Sequence, residues 1–308
     1  MLRYLLARTG QLLPVLLGVT LLTFAVLHAI PGDPAALRAG VEATESQLAA
    51  IRAEMGLTRP LYAQYLGYLG QVLQGDFGES FRSGQPVGPE LLRRFGFTFS
   101  LSLLSMGLAL LIGIPAGVAA ALTRTSWRDT MIMVLAMVSL SMPTFWLALI
   151  LLQIFAGGLG WLPAGGSGTW RHLVLPAVVL GTGVAAVITR ITRSSMIDVL
   201  SQDYIRTLTS AGLSRTRIIY RHALRNALNP VITMASLQFG FLLAGAVIVE
   251  VVFSLPGIGR MVVMAIFNRD YPIVQGGLLL LAGSFVAVNL VSDVLYALAN
   301  PRIRYGRS

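Results

Sequence analysis

Uncharged runs from Thr9 to Gly32, Phe95 to Thr123 and Thr130 to Trp170 decide what this chain can fold into. Each is longer than the roughly 20 apolar residues that cross a bilayer as a helix. A soluble core built from 308 residues has no room to hide them all. Composition agrees, with 55% of residues hydrophobic and 12% charged, about half the charge of an ordinary soluble domain. Lipid offers no partners to backbone amides, so the expectation is an all-α, polytopic membrane protein.

Hydropathy places six transmembrane helices at about 10 to 30, 97 to 122, 131 to 156, 174 to 192, 231 to 252 and 277 to 298. The first lies behind Arg3 and Arg8 and ahead of Pro31, Gly32, Asp33 and Pro34. Its apolar stretch is long for a signal peptide, so it is read as an uncleaved helix. An even number of spans puts both termini on one side. Fourteen arginines, in the segments Arg3 to Arg8, Arg124 to Arg128, Arg190 to Arg225 and Arg302 to Arg307, share that side with Asp129, Asp198 and Asp203. On the other side nine arginines meet eight acids. The positive-inside rule makes the arginine-rich side cytoplasmic, with the shorter loops carrying the assignment. The basic balance therefore belongs to topology and not to nucleic acid, because no aromatic residues interleave with the arginines as a stacking platform requires.

All 23 basic residues are arginine. Without lysine there is no G-x-x-x-x-G-K-[ST] phosphate loop, so any nucleotide energy comes from another chain. The sequence has no cysteine, which excludes disulfides, thiolate metal sites and cysteine nucleophiles. His28, His172 and His222 are scattered, and no metal site is assigned. No intramembrane Ser/His pair or H-E-x-x-H motif marks an enzyme. Met131, Met133, Met137 and Met142 read as packing, with an adaptable lining for varied substrates as the alternative.

Between the fourth and fifth spans, Arg193 to Asn229 is too long for a simple turn. Met196, Val199, Leu200, Ile205 and Leu208 fall at helical spacing, Ala211 and Gly212 interrupt, and Ile218, Ile219, Ala223, Leu224 and Leu228 resume. This predicts helix, glycine turn, helix. Gly212 permits positive φ and a close approach, which suits a knob pushed into a partner's groove. Arg217, Arg221 and Arg225 recur every four residues along the second helix; anionic lipid is the alternative partner for individual arginines.

This loop resembles the coupling loop of ABC importer permeases. Gly212 matches their central glycine, while Arg206, Thr207 and Leu208 stand where the general Glu-Ala-Ala would be, and His222 to Arg225 where I-x-L-P would be. These departures are those of the dipeptide, oligopeptide and nickel branch: Asp203-Tyr204-Ile205-Arg206-Thr207, Gly212-Leu213-Ser214 and Arg221 to Ala227 follow its pattern, with Leu208 in place of the usual alanine. The resemblance continues in Pro31 to Pro34, Arg59 to Tyr62, Gly75 to Gly78, Gly160 to Pro163, Pro256 to Arg260, Asn268 to Pro272 and Pro301-Arg302, and so spans the whole chain.

The resemblance implies a type I importer permease fold in a bacterial inner membrane. It implies half of a translocation pathway, paired as a heterodimer with a related permease, two ATP-binding cassette ATPases and an extracytoplasmic solute-binding protein. ATP and magnesium would be used by the ATPases, with no cofactor or catalytic residue on this chain. The expected cargo is a dipeptide or short oligopeptide, with nickel chelates and glutathione as alternatives. The domains expected are 1–30 (cytoplasmic tip and first span), 31–96 (a helical extracytoplasmic cap, with an amphipathic stretch from Thr44 to Met55 and a Thr44 cap), 97–300 (a five-helix core including coupling loop 193–229) and 301–308 (cytoplasmic tail).

The residues expected to couple to the ATPases are Asp203, Tyr204, Arg206, Thr207, Ala211, Gly212, Leu213, Ser214, Arg217 and Arg221. Candidates for the pathway or its gate are Glu250, Arg260, Arg269 and Asp270, and Gly165, Gly166, Ser167 and Gly168 are candidates for contact with the binding protein. Two readings stand open for Glu250, a path-lining carboxylate that receives a peptide's amino group or a structural partner of Arg260 or Arg269. Asp293 is read as a partner of Arg302 or Arg304. The rival class is an ion-coupled secondary transporter using these two carboxylates, which leaves the helix-turn-helix loop unexplained.

Overall fold

The computed structural model describes residues 12–29, 33–39 and 43–299. The termini with Arg3, Arg8 and Pro301 to Arg307, the Pro31-Gly32 pair and the side chain of Asp293 lie outside the described residues. Helices α1 (Leu12–Ala29), α2 (Pro34–Ala39), α3 (Glu45–Glu54) and α4 (Leu61–Leu73) lead to the long α5 (Val87–Leu122). Next come α6 (Trp127–Ser141), α7 (Thr144–Leu151, prolonged as a π-helix over Leu152–Gly158), α8 (Arg171–Leu200) and α9 (Asp203–Ser210). Last are α10 (Arg215–Val252, with a π segment at Ile218–Ala223), α11 (Ile258–Phe267) and α12 (Tyr271–Ala299). Among the described residues the chain is helical with no strand, and one antiparallel bridge pairs Glu79 with Pro86.

Each predicted span contains an apolar helix, but the lengths differ from expectation. Among the described residues four helices, α5, α8, α10 and the Tyr271–Ser292 part of α12, are long and apolar enough to cross a membrane, and α1 supplies a shorter apolar segment, Pro14–Ala29. The stretch read as one helix at 131 to 156 is the pair α6 and α7, bent by 101°. Pro143 causes the bend: it has no N–H and forces the preceding residue out of the helical region, so Met142 takes φ −75° and ψ 124°. Elsewhere helices run past the predicted ends, because arginine marks where a membrane stops and does not stop a helix. Thus α8 passes Arg190 and Arg193 to reach Leu200.

The chain divides into two compact units. The first comprises the residues up to Thr98 and Pro256–Val286, with a core of Leu27, Val87, Leu91, Ile258, Val262, Ala265, Tyr271 and Val274. Gly276 and Gly277 make this packing possible, since added Cβ atoms would lie 2.7 Å from Leu91 and 2.3 Å from Val262. Thr98 Oγ1 accepts the Ile258 N–H at 3.0 Å, which supplies a partner at the start of α11. The predicted Thr44 cap is present as a capping box: Gln47 N–H donates to Thr44 Oγ1 at 3.4 Å, and Thr44 N–H donates to Gln47 Oε1 at 2.9 Å. His28 lies against the Phe24 and Tyr271 rings, its nitrogens 2.8 Å from the Phe24 carbonyl and 3.2 Å from Gln64 Oε1.

The second unit comprises Phe99–Leu255 and the residues from Ala287 onward. Here α5 and α8 touch backbone to backbone through Gly113 and Gly117. A Cβ at Gly113 would fall 2.9 Å from the Ala185 carbonyl oxygen, and one at Gly117 would fall 2.6 Å from that of Thr189. This is the small-xxx-small arrangement by which membrane helices approach closely. Across the start of α6, buried Asp129 accepts a two-pronged bond from Arg193, 2.6 Å at both Nε and Nη2, and a third bond from the Thr125 N–H at 3.2 Å. The planar guanidinium matches the carboxylate fork and fixes α6 to α8.

Candidate functional site

The helix-turn-helix read between the fourth and fifth spans is formed, with its outer ends fused to the spans themselves. From Leu200 the chain turns into α9, turns again at Ala211 to Ser214 and enters α10 at Arg215. The second turn is a Schellman motif: Gly212 N–H donates to the Thr209 carbonyl at 3.0 Å and Leu213 N–H to the Leu208 carbonyl at 3.2 Å. Gly212 takes φ +79°, and a Cβ there would meet nothing within 4 Å. Glycine is therefore set by backbone conformation and not by space. Leu208 and Leu213, the apolar pair that accompanies such a motif, both pack on the cluster below.

That cluster holds the knob rigidly. Ile205, Ile218, Ile219, Ala223 and Ala227 are buried with Met196 and Val199 of α8 and Val118 and Ala121 of α5. Tyr204 leans on it and accepts a bond from Asn226 Nδ2 at 3.0 Å. The opposite face is open: Asp203, Arg206, Thr207, Ala211, Gly212, Ser214, Arg217 and Arg221 are exposed, as are Arg215 and Arg225. The Asp203 to Arg206 contact, 3.7 Å between two well-solvated side chains, contributes next to nothing to stability. The structure thus gathers the ten predicted coupling residues into one strongly basic projection.

Tyr220 belongs to that face and was not among the predicted residues. The residue is 60% exposed on the π segment. Tyr220 corrects the reading that no aromatic interleaves with the arginines, since it stands amid Arg217, Arg221 and Arg225; helical periodicity at an irregular turn does not say which side it takes. Tyrosine and arginine dominate the energetics of interfaces, so we expect Tyr220→Ala to weaken a partner's hold on this face by about 2 kcal/mol, roughly 30-fold, without loss of folded protein. Titration of the purified partner against the membrane-embedded variant measures it.

The other predicted residues serve different ends. Asp270 is 2% exposed and committed, accepting bonds from the Ser80 hydroxyl at 2.5 Å and the Phe81 N–H at 3.0 Å. Arg269 sits beside it in a left-handed turn at φ +52°. Arg260, on α11, and Asp270 line one cavity of about 720 Å³ in the first unit, with Arg82, Arg93 and Arg94. Glu250 belongs to the second unit, on α10, and is completely buried. Among the glycine-loop residues, Gly165 and Gly166 are held against the end of α10, where the Gly166 N–H donates to the Phe253 carbonyl at 3.0 Å and a Cβ on Gly165 would lie 2.4 Å from that oxygen. Ser167 and Gly168 are exposed. Among the described residues no group of three His, Cys, Asp or Glu side chains is placed to hold a metal.

The sequence pattern of the family described as "Binding-protein-dependent transport system inner membrane component" matches residues 113–305, and the pattern of its N-terminal part matches residues 1–102. Over 305 residues the chain is 48% identical to the glutathione transport system permease protein GsiC of Salmonella typhimurium (strain LT2), covering 99% of this chain and 100% of that protein. The GsiC of Escherichia coli (strain K12) is 46% identical over the same coverage. Among solved structures, the methionine ABC transporter MetNI in an inward-facing conformation matches with a TM-score of 0.60 at 18% identity, covering 68% of this chain and 96% of that one. An amino acid ABC transporter solved with histidines matches at 0.51 and 16% identity, covering 70% and 94%. These two likenesses speak to the fold alone.

Proposed function

The chain belongs to the binding-protein-dependent transport system inner membrane component family, and from that membership we propose that it forms one half of an importer's path for short peptides, driven through the knob at Gly212. As a permease of this family it is a non-catalytic, membrane-embedded subunit of an ABC importer, working with an ATPase and a binding protein. The finer assembly is our reading: a second, related permease completes the path, and two ATPases dock on the knob from the cytoplasm, where both termini also lie.

One observation carries this reading. A chain with no lysine, and so no phosphate loop, presents a rigidly seated basic projection whose rear face is the packing of α5, α8 and α10. A displacement of this projection is passed to three membrane helices at once, because close-packed interiors shift as bodies and do not deform continuously. The excess of arginine on its face calls for an acidic groove on the ATPase, which steers encounter and fixes register. Glutathione, the solute named for the GsiC relatives, is a tripeptide and the first cargo to test, with a dipeptide second. Proteoliposomes holding the whole complex should take up labelled glutathione or dipeptide only with ATP and the binding protein. Equal uptake in ATP-free vesicles under an ion gradient would support a secondary transporter instead.

A further inference from the structure

We propose that the break between α6 and α7 forms a subsite within the membrane that holds the uncharged backbone of the peptide as it passes; this rests on the transport reading above. The second unit has a partly open cavity of about 260 Å³ lined by Ser139, Leu140, Met142 and Thr144 at the break, by the middle of α8 around Gly183, and by Gln238 and Gly245 of α10. Gly183 and Gly245 lie in apolar stretches inside their helices, Gly183 between Arg171 and Arg190 and Gly245 between Arg225 and Glu250, while Ser139, Leu140, Met142 and Thr144 lie at the junction of α6 and α7.

Polar groups are released where hydrocarbon offers them nothing. The main-chain bonds of α6 end with Met142 N–H to the Val138 carbonyl at 3.1 Å, and those of α7 begin with Trp146 and Leu147 N–H to the Pro143 carbonyl at 3.0 and 3.1 Å. Pro143 has no N–H for the Ser139 carbonyl, and the 101° bend takes the Thr144 N–H away from Leu140. Irregular backbone at membrane depth is tolerated only where it is buried in protein or lines a cavity, and Ser139, Leu140 and Thr144 line this one. Gln238 adds a carboxamide that makes no hydrogen bond to any described residue.

The chemistry on offer is carbonyl acceptors, an N–H donor and a carboxamide, with no charged residue in the lining. That set complements a peptide group and ignores side-chain identity. The cavity of about 260 Å³, open on one side, has room for a residue with its flanking amides. A chain threading through is held one peptide unit at a time.

Gly183 and Gly245 make the subsite testable without unfolding the protein. A Cβ at either meets nothing within 4 Å, and neither φ is left-handed. Gly183→Leu and Gly245→Leu, singly and together, should project into the cavity while favouring the helix. In proteoliposomes holding the whole complex, uptake of labelled glutathione and of a labelled dipeptide should both fall roughly tenfold or more, the size of effect a single clash has in a binding site. ATPase activity and the copurified partner subunits should be retained, and Gly183→Ala should transport at close to the wild-type rate. Unchanged uptake in the double leucine variant would overturn the subsite. Loss of the second permease from the variant would overturn it too, by showing that the face is a subunit interface. A wild-type complex that takes up neither probe with ATP would instead overturn the transport reading, and the subsite with it.

Discussion

Gly117→Val should leave almost no folded permease in the membrane. A Cβ at this position would lie 2.5 Å from Thr192 Cβ and 2.6 Å from the Thr189 carbonyl oxygen, and one turn earlier Gly113 meets Ile188 and the Ala185 carbonyl at 2.8 and 2.9 Å. Two of these four neighbours are backbone, so no rotamer change relieves the clash and α5 must move away from α8. That movement opens the packing around Ile188 and Thr192, both completely buried, and carries Val118 and Ala121 off the core beneath the knob. The expected cost is roughly 3 kcal/mol or more, the upper end for overpacking, because helix association in lipid relies on such close contact. Gly107, on the same helix but with open space at its Cβ, is the control. Immunoblots of membranes should show Gly107→Val near wild-type abundance and Gly117→Val nearly absent; equal abundance would show that the two helices do not need this contact.

Gly212→Arg should abolish transport by a different route, with the permease still folded. The left-handed φ of +79° costs a side chain roughly 1–2 kcal/mol, an expense that a turn anchored by Leu208 and Leu213 withstands. The larger effect is at the surface, where a long cationic chain at the tip of the knob meets a partner's groove. Gly212→Asn separates the two effects, since asparagine tolerates the left-handed region and stays short. Uptake should therefore remain substantial for asparagine and fall more than roughly tenfold for arginine, as expected when a central interface residue is blocked.

Much of this was legible in the sequence, and the parts that were not have two causes. Uncharged runs located the apolar helices, Thr44 marked a helix cap, and Gly212 between two helical patterns marked the turn, because each of these depends on neighbours within a few residues. Pro143 was equally local and carried the signal for the break, yet uniform apolarity on both sides hid it, since hydropathy does not sense direction. The remaining misses are pairings across distance. Asp129 and Arg193 entered the topology only as charges on one side, and nothing in their spacing announced that they meet. The bonds of Asp270 to Ser80 and Phe81 follow from a return of the chain that one sequence does not reveal. Gly113 and Gly117 were counted within an apolar run, where their small size is invisible until α8 is placed against them.

The central claim, that the projection at Gly212 is where the ATPases take hold, is tested most directly by purifying the complex from native membranes in mild detergent and identifying the chains retained with wild type, Gly212→Asn and Gly212→Arg. A second permease is expected with all three, and ATPases with wild type and the asparagine variant only. ATPases retained by Gly212→Arg together with wild-type uptake, or a wild-type permease recovered without any ATPase under conditions that keep the second permease bound, would contradict it.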